Sequence, residues 1–500
     1  MKFDLLILGG GITGAGCALE AARRGLKVLL IEPHDFAWGA SSRSSKLVHG
    51  GLRYLKQGAL HLTKESLQER EQLLQDAPGL VEPLRFLMAH NPGAKPGPRT
   101  MQAGLWLYDR LAGRRTRAFR TPQATQWLAP GLRAEHGASL YEDATTDDAR
   151  LTLRVLQEAQ AHGAQLQNRS QLQELLRDPQ GQVRGARLRG ADGFAQTIEC
   201  KVVIAATGAY LGPLAAQLGL PAPQLRPLRG SHLLLPLWRL PLACAVAWAH
   251  PEDGRPVFAY PWQGALLVGT TDEDHADLAQ APALTRRELD YLLRGLNAQF
   301  PRAGLQAADV RSSWAGIRPV ISNGAGLKPS EESREHLVLA HRGLVAVGGG
   351  KLTTFRVMAQ QALRAAQAWL PRLWGEPGAN ILMPAGGAPL PLGPAPARRL
   401  RGRFGALAAE VAGQGIATLP GTQTLIGELR HSLQHEQVHH LDDLLLRRTR
   451  LGLLQPDFAA GLLPALRPHC QELLGWDAAR FAQEAERYLT LMRAQHGVFV

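Results

Sequence analysis

The sequence predicts an α/β protein, α+β overall, in three parts: a domain on a parallel sheet, a second domain on an antiparallel sheet and a helical C-terminal domain. Three observations lead there. The apolar run Phe3 to Leu8 ends in Gly9-Gly10-Gly11-Ile12-Thr13-Gly14, and an alanine-rich stretch to Arg24, stopped by Gly25, leads to a second apolar run, Lys27 to Ile31. Two further strand-like runs, Val202 to Ala206 and Leu344 to Val347, also meet glycine, so separated segments build one domain. Arg398 to Met492 shows helical periodicity with few strand signals.

In chain order, the opening is a βαβ unit with GxGxxG at its first turn and Glu32 closing its second strand. Gly9 permits the tight turn, Gly11 lets the backbone approach a pyrophosphate, Gly14 lets helix and strand pack closely, and Glu32 accepts ribose hydroxyls. An acidic residue there disfavours an extra 2'-phosphate, which leaves FAD or NAD. The loop Ser41-Ser42-Arg43-Ser44-Ser45-Lys46-Leu47-Val48-His49-Gly50-Gly51 favours FAD, because a long extended cofactor uses its hydroxyls and amides and NAD does not. Thr207-Gly208 closes the second strand of the domain.

Gly230 to Leu235 and Gly264 to Thr271 read as strands of a sheet over the substrate. After Gly348-Gly349-Gly350, Lys351 to Thr354 start a helical segment whose N-terminus, aimed at a flavin, stabilises the anion formed on reduction. Pro384, Pro389, Pro391, Pro394 and Pro396 mark a semi-rigid linker. The expected division is a discontinuous, Rossmann-like FAD-binding domain over 1–90, 145–225 and 310–375. A substrate or cap domain with a membrane-facing segment takes 91–144 and 226–309, a linker 376–397 and the helical domain 398–500.

Composition narrows the classes further. With 500 residues, 45% hydrophobic and 20% charged, the chain is neither a disordered protein nor a small stapled scaffold. Cys17, Cys200, Cys244 and Cys470 are far apart, against a disulfide framework, a zinc site or an iron-sulfur cluster, so no metal is expected and the compartment is a reducing one. The first apolar run is broken at once by glycine, unlike a signal peptide, which points to a cytoplasmic protein. Val202 to Leu225 carries no charge, but its glycines and prolines rule it out as a span. The net charge of +13 suits anionic partners, and the absence of a nucleic-acid motif removes DNA and RNA from them. Only 9 lysines stand against 47 arginines, so a lysine kept at a special place, such as Lys351, attracts attention.

These stretches resemble the FAD-dependent sn-glycerol-3-phosphate dehydrogenases over almost the whole chain. Beside the fingerprint, the resemblance rests on Ser44-Ser45-Lys46-Leu47-Val48-His49-Gly50-Gly51-Leu52-Arg53-Tyr54-Leu55, Asp147-Asp148-Ala149-Arg150-Leu151 and Ala206-Thr207-Gly208. It continues in Gly230-Ser231-His232, Gly269-Thr270-Thr271-Asp272, Gly316-Ile317-Arg318-Pro319, Gly349-Gly350-Lys351-Leu352-Thr353-Thr354 and the C-terminal Leu441-Asp442-Asp443 with Arg447-Arg448-Thr449. Glu20 stands where the family usually has Asp, and Phe355 where it usually has Tyr, which removes a hydroxyl near the flavin.

The resemblance implies a glutathione-reductase or D-amino-acid-oxidase-like topology and hydride transfer from C2 of glycerol 3-phosphate to flavin N5, giving dihydroxyacetone phosphate. Its cofactor contacts fall on Gly9, Gly11, Gly14, Glu32, Ser41, Ser42, Ser44, Ser45, Lys46, Leu47, His49, Gly208, Gly350, Lys351, Leu352 and Thr353. A phosphate dianion wants planar, permanently charged forks, for which Arg53 and Arg318 are the candidates, with Tyr54, Thr271 and Lys351 beside them. His49 and His232 are the candidate bases, and Lys351 and Arg318 the electrostatic partners of the reaction.

The implied acceptor is a membrane quinone. Leu105, Trp106, Leu107, Tyr108 and Leu111 lie beside Arg110, Arg114, Arg115, Arg117 and Arg120, which reads as an interfacial segment docking the protein, peripheral and monotopic, on the anionic inner face of the cytoplasmic membrane. A homodimer is left open. The alternatives are an oxygen-using glycerol-3-phosphate oxidase or a related FAD amine or hydroxy-acid oxidase. His439-His440 with Asp442-Asp443 look like a metal cluster, but on a helix they spread over more than half the circumference.

Overall fold

The strands Val28–Ile31, Lys2–Leu8, Ala195–Ala205 and Leu344–Gly349 run parallel and side by side. In this computed structural model, which describes residues 1–56, 58–93, 96–219, 224–322, 335–370 and 378–499, they are the centre of an eight-stranded sheet. Gln165–Gln167 extends it past Val28–Ile31, His336–His341 closes the other edge, and the hairpin Gln171–Arg177 with Val183–Arg189 pairs onto Ala195–Ala205. Leu5, Leu6, Ile7, Leu29, Leu30, Val202 and Val203 are fully buried, because both faces of a parallel sheet are covered; hence the unbroken apolar runs in the sequence.

Helix Ile12–Ala22 fits between helices Asp148–Ala161 and Phe355–Ala366, and its small residues Gly14, Ala15, Gly16 and Ala18 allow that closeness. The carboxyl ends of the central strands carry Gly9, Glu32, Ala206 and Gly350 to one edge, the place where open α/β sheets bind ligands. The uncharged Val202 to Leu225 run divides into a strand end, helix Leu211–Leu218 and the first residue of the next strand. Among the described residues, no helix is long and apolar enough to cross a membrane.

A second, ten-stranded sheet runs in the order Glu273–Asp274, Leu225–Pro236, Ala265–Gly269, Pro256–Trp262, Ala245–Ala249, Val81–Ala89, Ala138–Thr146 and Leu47–Val48. Ser312–Ile321 pairs with Leu225–Pro236 over ten residues, and Ala118–Arg120 with Ala138–Thr146. This corrects the expected boundaries: 47–48, 81–89 and 312–321 pair here and not in the nucleotide-binding sheet. Short apolar runs mark strands without naming their partners, and only the register separates the two sheets.

The expected linker is not a free spacer. Ile381 and Leu382 are buried, their amides donate to Asp76 Oδ2 at 2.6 and 3.2 Å, and Pro394 already opens helix Pro394–Phe404. The C-terminal part is helical as expected, with Ala408–Gly413, Ile426–His435, Leu463–Leu474 and Ala478–His496 among its helices. It returns three arginines to the nucleotide-binding part. Arg448 donates to both oxygens of Asp35, at 2.7 and 2.8 Å, and Arg447 pairs with the same carboxylate. Arg450 reaches Asp147 at 2.8 Å and also Asp148, which in turn holds Lys46 Nζ at 3.0 Å.

Candidate active site

A continuous cavity of 1880 Å³ starts at the ends of the parallel strands and runs beneath the second sheet. At its mouth, Gly9 adopts φ +112, and a Cβ there would meet the Ala206 carbonyl oxygen at 2.6 Å. A Cβ on Gly14 would collide with the carbonyl of Gly9, so helix and turn pack at a distance only glycine allows. Glu32 accepts the amides of Gly10 at 2.8 Å and His34 at 2.9 Å and lies on the cavity wall. Burial pushes its carboxyl up to about 7 against those two amides. Ser41 Oγ accepts the Ile12 amide at 2.9 Å, fixing the helix N-terminus beside the loop. The sequence reading missed the aromatic rim here: His34 stacks on Trp38 at 4.0 Å, with Tyr210 at 6.0 Å and the Arg43 guanidinium 5.6 Å over the Trp38 ring.

The loop predicted to hold the cofactor is divided by its side chains. Ser41, Ser44, Ser45, Leu47 and His49 line the cavity, whereas Ser42 and Lys46 do not. Lys46 is fully buried on Asp148 and the Ser42 carbonyl, with its ammonium 4.5 Å from the Trp314 ring centroid and 5.1 Å from that of Trp262. Its ammonium therefore serves the fold of the loop and does not line the cavity, a correction to the expected contact. The Ser44 hydroxyl is likewise engaged, donating to Asp148 at 2.7 Å.

At the inner end, Gly208, Gly350, Lys351, Leu352 and Thr353 complete the wall, with Leu352–Thr354 forming a tight turn before helix Phe355–Ala366. The His49 amide donates to Thr353 Oγ1 at 3.2 Å. Lys351 Nζ donates to Ser66 Oγ and sits 4.3 Å from the Tyr54 ring centroid. Burial pulls its ammonium down to about 8, with Glu65 and Asp143 opposing. Phe355 is buried against Gly16, so no hydroxyl stands at that position. Arg53 lies in helix Leu52–Lys56, and its side chain is outside the described residues.

His232 and Arg318 project from neighbouring strands of the second sheet. His232 stacks on Trp314 at 5.0 Å and shares a 2.8 Å hydrogen bond between Nε2 and Ser45 Oγ. Burial, then the charges of Arg318 and Lys46, hold this imidazole well below the usual histidine range, so it is neutral at neutral pH. Arg318 Nη1 donates to Asp272 Oδ1 at 2.6 Å and to the Thr271 carbonyl at 3.1 Å, and Nη2 to Thr270 Oγ1 at 2.7 Å. Thr271 lines the cavity as expected of a site residue, but its hydroxyl is engaged, donating to Glu288 at 2.7 Å and accepting the Ser231 amide at 2.8 Å. Asp272 is shared with Arg255 at 3.3 Å, and Arg255 also faces Asp253 at 3.7 Å, so two guanidiniums and two carboxylates stand together on the wall. Nothing in the sequence separates Arg255 from the other arginines.

Beyond this point the cavity turns apolar, between Phe86, Met88, Met101, Leu107, Ala247 and Phe258, and passes under helix Pro98–Ala112. That helix corrects the interfacial segment. Leu105 and Tyr108 are core residues, the latter donating to Asp143 at 2.8 Å, and Arg114 and Arg117 pair with Glu142 and Asp109. Trp106, 50% exposed, and Phe119 remain outside. Trp127 and Trp238, 86% and 75% exposed, lie on segments joined by the Ala243 amide donating to the Leu128 carbonyl at 2.9 Å. Of the apparent metal cluster, Asp442 and Asp443 pair with Arg447, and His440 Nδ1 with Glu484 at 2.9 Å.

The glycine cradle that any Cβ would fill, the anchored acid at Glu32 and the long cavity fit a dinucleotide with a flavin at its inner end. The chain belongs by class to the FAD-dependent oxidoreductases: the family model described as FAD dependent oxidoreductase matches residues 4–356. A second, described as the C-terminal domain of alpha-glycerophosphate oxidase, matches 346–481. Within the class the chain is a member of the FAD-dependent glycerol-3-phosphate dehydrogenase family. It is 36% identical to glycerol-3-phosphate dehydrogenase 2 of Mycobacterium bovis, covering 99% of this chain and 88% of the relative. To the aerobic glycerol-3-phosphate dehydrogenase of Staphylococcus aureus it is 37% identical over 75% of this chain and 68% of that one. The glycerol-3-phosphate dehydrogenase of Bacillus halodurans, solved with FAD, superposes with a TM-score of 0.79 at 28% identity, covering 99% of this chain and 95% of that one.

Proposed function

We propose that this protein oxidises sn-glycerol 3-phosphate to dihydroxyacetone phosphate and passes the electrons to a membrane quinone while docked on the inner face of the cytoplasmic membrane. The observation that carries the reading is the convergence, at the inner end of one cavity, of a paired guanidinium site, a neutral buried imidazole and an ammonium. Bound FAD supplies the hydride acceptor. Arg318, with Arg255 across Asp272, attracts the phosphate, and Arg53 is a further candidate for that role. His232, neutral and oriented by Ser45, takes the proton of the C2 hydroxyl, with His49 as the second imidazole on the wall. Lys351 and Tyr54 close the site from the helix side, where an ammonium stabilises developing negative charge.

Two features support quinone and membrane. The cavity continues into an apolar arm larger than a small phosphorylated polyol needs, and Trp106 on the helix above that arm is exposed, as are Phe119, Trp127 and Trp238. Tryptophans of this kind suit the headgroup region, and the net charge of +13 suits anionic lipid. The test is anaerobic reduction of the purified flavoprotein by glycerol 3-phosphate and by glycerol, then reoxidation by a quinone analogue or by oxygen, with flotation on anionic vesicles. Bleaching by the phosphorylated substrate alone, rapid reoxidation by quinone and salt-sensitive flotation are expected. Stoichiometric hydrogen peroxide at full turnover, with no vesicle binding at low salt, would establish an oxygen-using oxidase.

A further inference from the structure

Helices Ala408–Gly413 and Ile426–His435 of the C-terminal part pack closely and antiparallel. The Gly427 amide donates to the Gly415 carbonyl at 2.9 Å, and a Cβ on Gly427 would collide with the carbonyl of Val411. Gly427, His431 and His435 follow one another at a spacing of four, so all three share the helix face turned toward Ala408–Gly413. That contact places Glu410 opposite the two imidazoles, and one ligand atom from each of Glu410, His431 and His435 lies within 4.8 Å of the others.

Ordinary pairing does not account for the group. His431 is 2% exposed, and its Nδ1 is buried without a hydrogen-bond partner. The nearest carboxylate oxygen, on Glu410, stands 3.9 Å away, too far for a hydrogen bond and close enough for a shared ion. An orphaned buried nitrogen costs free energy unless something fills the gap. The charged groups around His431 do not oppose a cation: Glu410 and Glu436 are acidic, and Arg150 is neutralised by Glu436 at 2.6 Å. Arg150 is also screened by Phe404, over which it lies at 4.6 Å and whose edge faces His431 at 5.4 Å.

We propose that Glu410, His431 and His435 bind a divalent transition-metal ion of the zinc type, which clamps the two helices. Two imidazoles at i and i+4 with one carboxylate suit Zn²⁺, Co²⁺ or Ni²⁺ and not Mg²⁺ or Ca²⁺, which prefer all-oxygen shells. Tetrahedral coordination at about 2.1 Å asks for ligand atoms about 3.4 Å apart. Glu410 and His435 are exposed and free to turn that last distance, while His431 is fixed by its surroundings. The site is separate from the cavity, none of whose lining residues it uses. It bears on the cavity indirectly, since Glu428 of the same helix holds Arg399 at 2.6 Å and Arg403 at 3.0 Å, and Arg403 donates to Asp147 at 3.1 Å. This revises the expectation, drawn from the cysteines and from His439-His440, that the chain holds no metal.

The experiment uses the full-length, FAD-loaded protein, treated with chelator, dialysed and titrated with Co²⁺ as a visible probe. Expected are ligand-field bands that saturate at one equivalent, are abolished by Zn²⁺ and are unaffected by excess Mg²⁺. His435→Ala and Glu410→Gln, both at exposed positions, should each weaken Co²⁺ at least about tenfold while flavin content stays that of the parent. Zn²⁺ should raise the temperature of flavin release in the parent and in neither variant. The absence of a one-equivalent band, or a band that both variants leave unchanged and which therefore belongs to other histidines, would overturn the proposal.

Discussion

Asp148 and Lys46 form one buried pair whose two ends should respond to substitution in opposite ways. Lys46 is fully buried, and burial, reinforced by Arg450, lowers its ammonium from 10.5 to about 8 despite Asp148 and Asp147. At about 1.4 kcal/mol per pH unit, holding that charge costs the folded protein about 3 kcal/mol below pH 8. Between about pH 8 and 10.5 the unfolded chain carries a proton that the folded one lacks, so stability rises with pH across that window. Lys46→Met removes the cost and gives up contacts with Trp314 and Trp262 worth about 1–2 kcal/mol, while Asp148 keeps Arg450 and the Ser44 and Ala149 amides. The variant should be about 1–2 kcal/mol more stable than the parent near pH 7 and lose the rise at alkaline pH. Asp148→Asn instead leaves Lys46 and part of Arg450 as buried cations without their acid, at about 3–5 kcal/mol. For 500 residues each kcal/mol is about 1 °C, read as the temperature of flavin release at about pH 7 and about pH 9.5. If Lys46→Met falls as far as Asp148→Asn, or keeps the alkaline rise, the desolvation argument is wrong.

Three further outcomes follow from the site. Glu32→Ala removes the acceptor anchored by Gly10 and His34 and should let FAD escape on dialysis; full retention would exclude the ribose role. Arg318→Ala should cost on the order of 2–4 kcal/mol in kcat/KM for glycerol 3-phosphate and spare glycerol, and an undiminished preference for the phosphorylated substrate would refute the phosphate role. Lys351 carries its charge only below about pH 8, so kcat/KM should fall as pH rises through that value; Lys351→Arg should carry the falling limb to higher pH, and an unmoved limb would assign it to another group.

The nucleotide-binding half was legible because each of its signals is local. GxGxxG, the two flanking strands and Glu32 lie within one βαβ unit, and their spacing alone implies the cradle. What was not legible depends on contacts distant in sequence. Thr271 sits in a motif and lines the cavity, yet its hydroxyl is engaged by Glu288, a partner no spacing announces. Lys46 occupies the cofactor loop but answers to Asp148, 102 residues away. Leu105 and Tyr108 were read as interfacial because an amphipathic helix presents the same pattern to a membrane as to a core, whereas only packing against Asp143 and its neighbours decides. Arg255 earns its place from Asp272 across a sheet, and among so many arginines no pattern distinguishes it.

The three C-terminal arginines also set an order of events during synthesis. Lys2–Leu8 cannot acquire its neighbour Ala195–Ala205 until some two hundred residues exist, and Leu344–Gly349 arrives later still. Even then Asp35 lacks both of its guanidiniums, and Asp147 and Asp148 have Arg403 and Lys46 but not Arg450, until Arg447, Arg448 and Arg450 emerge late in the chain. The loop that carries Lys46 is thereby fully paired only once the C-terminal helices have docked against it.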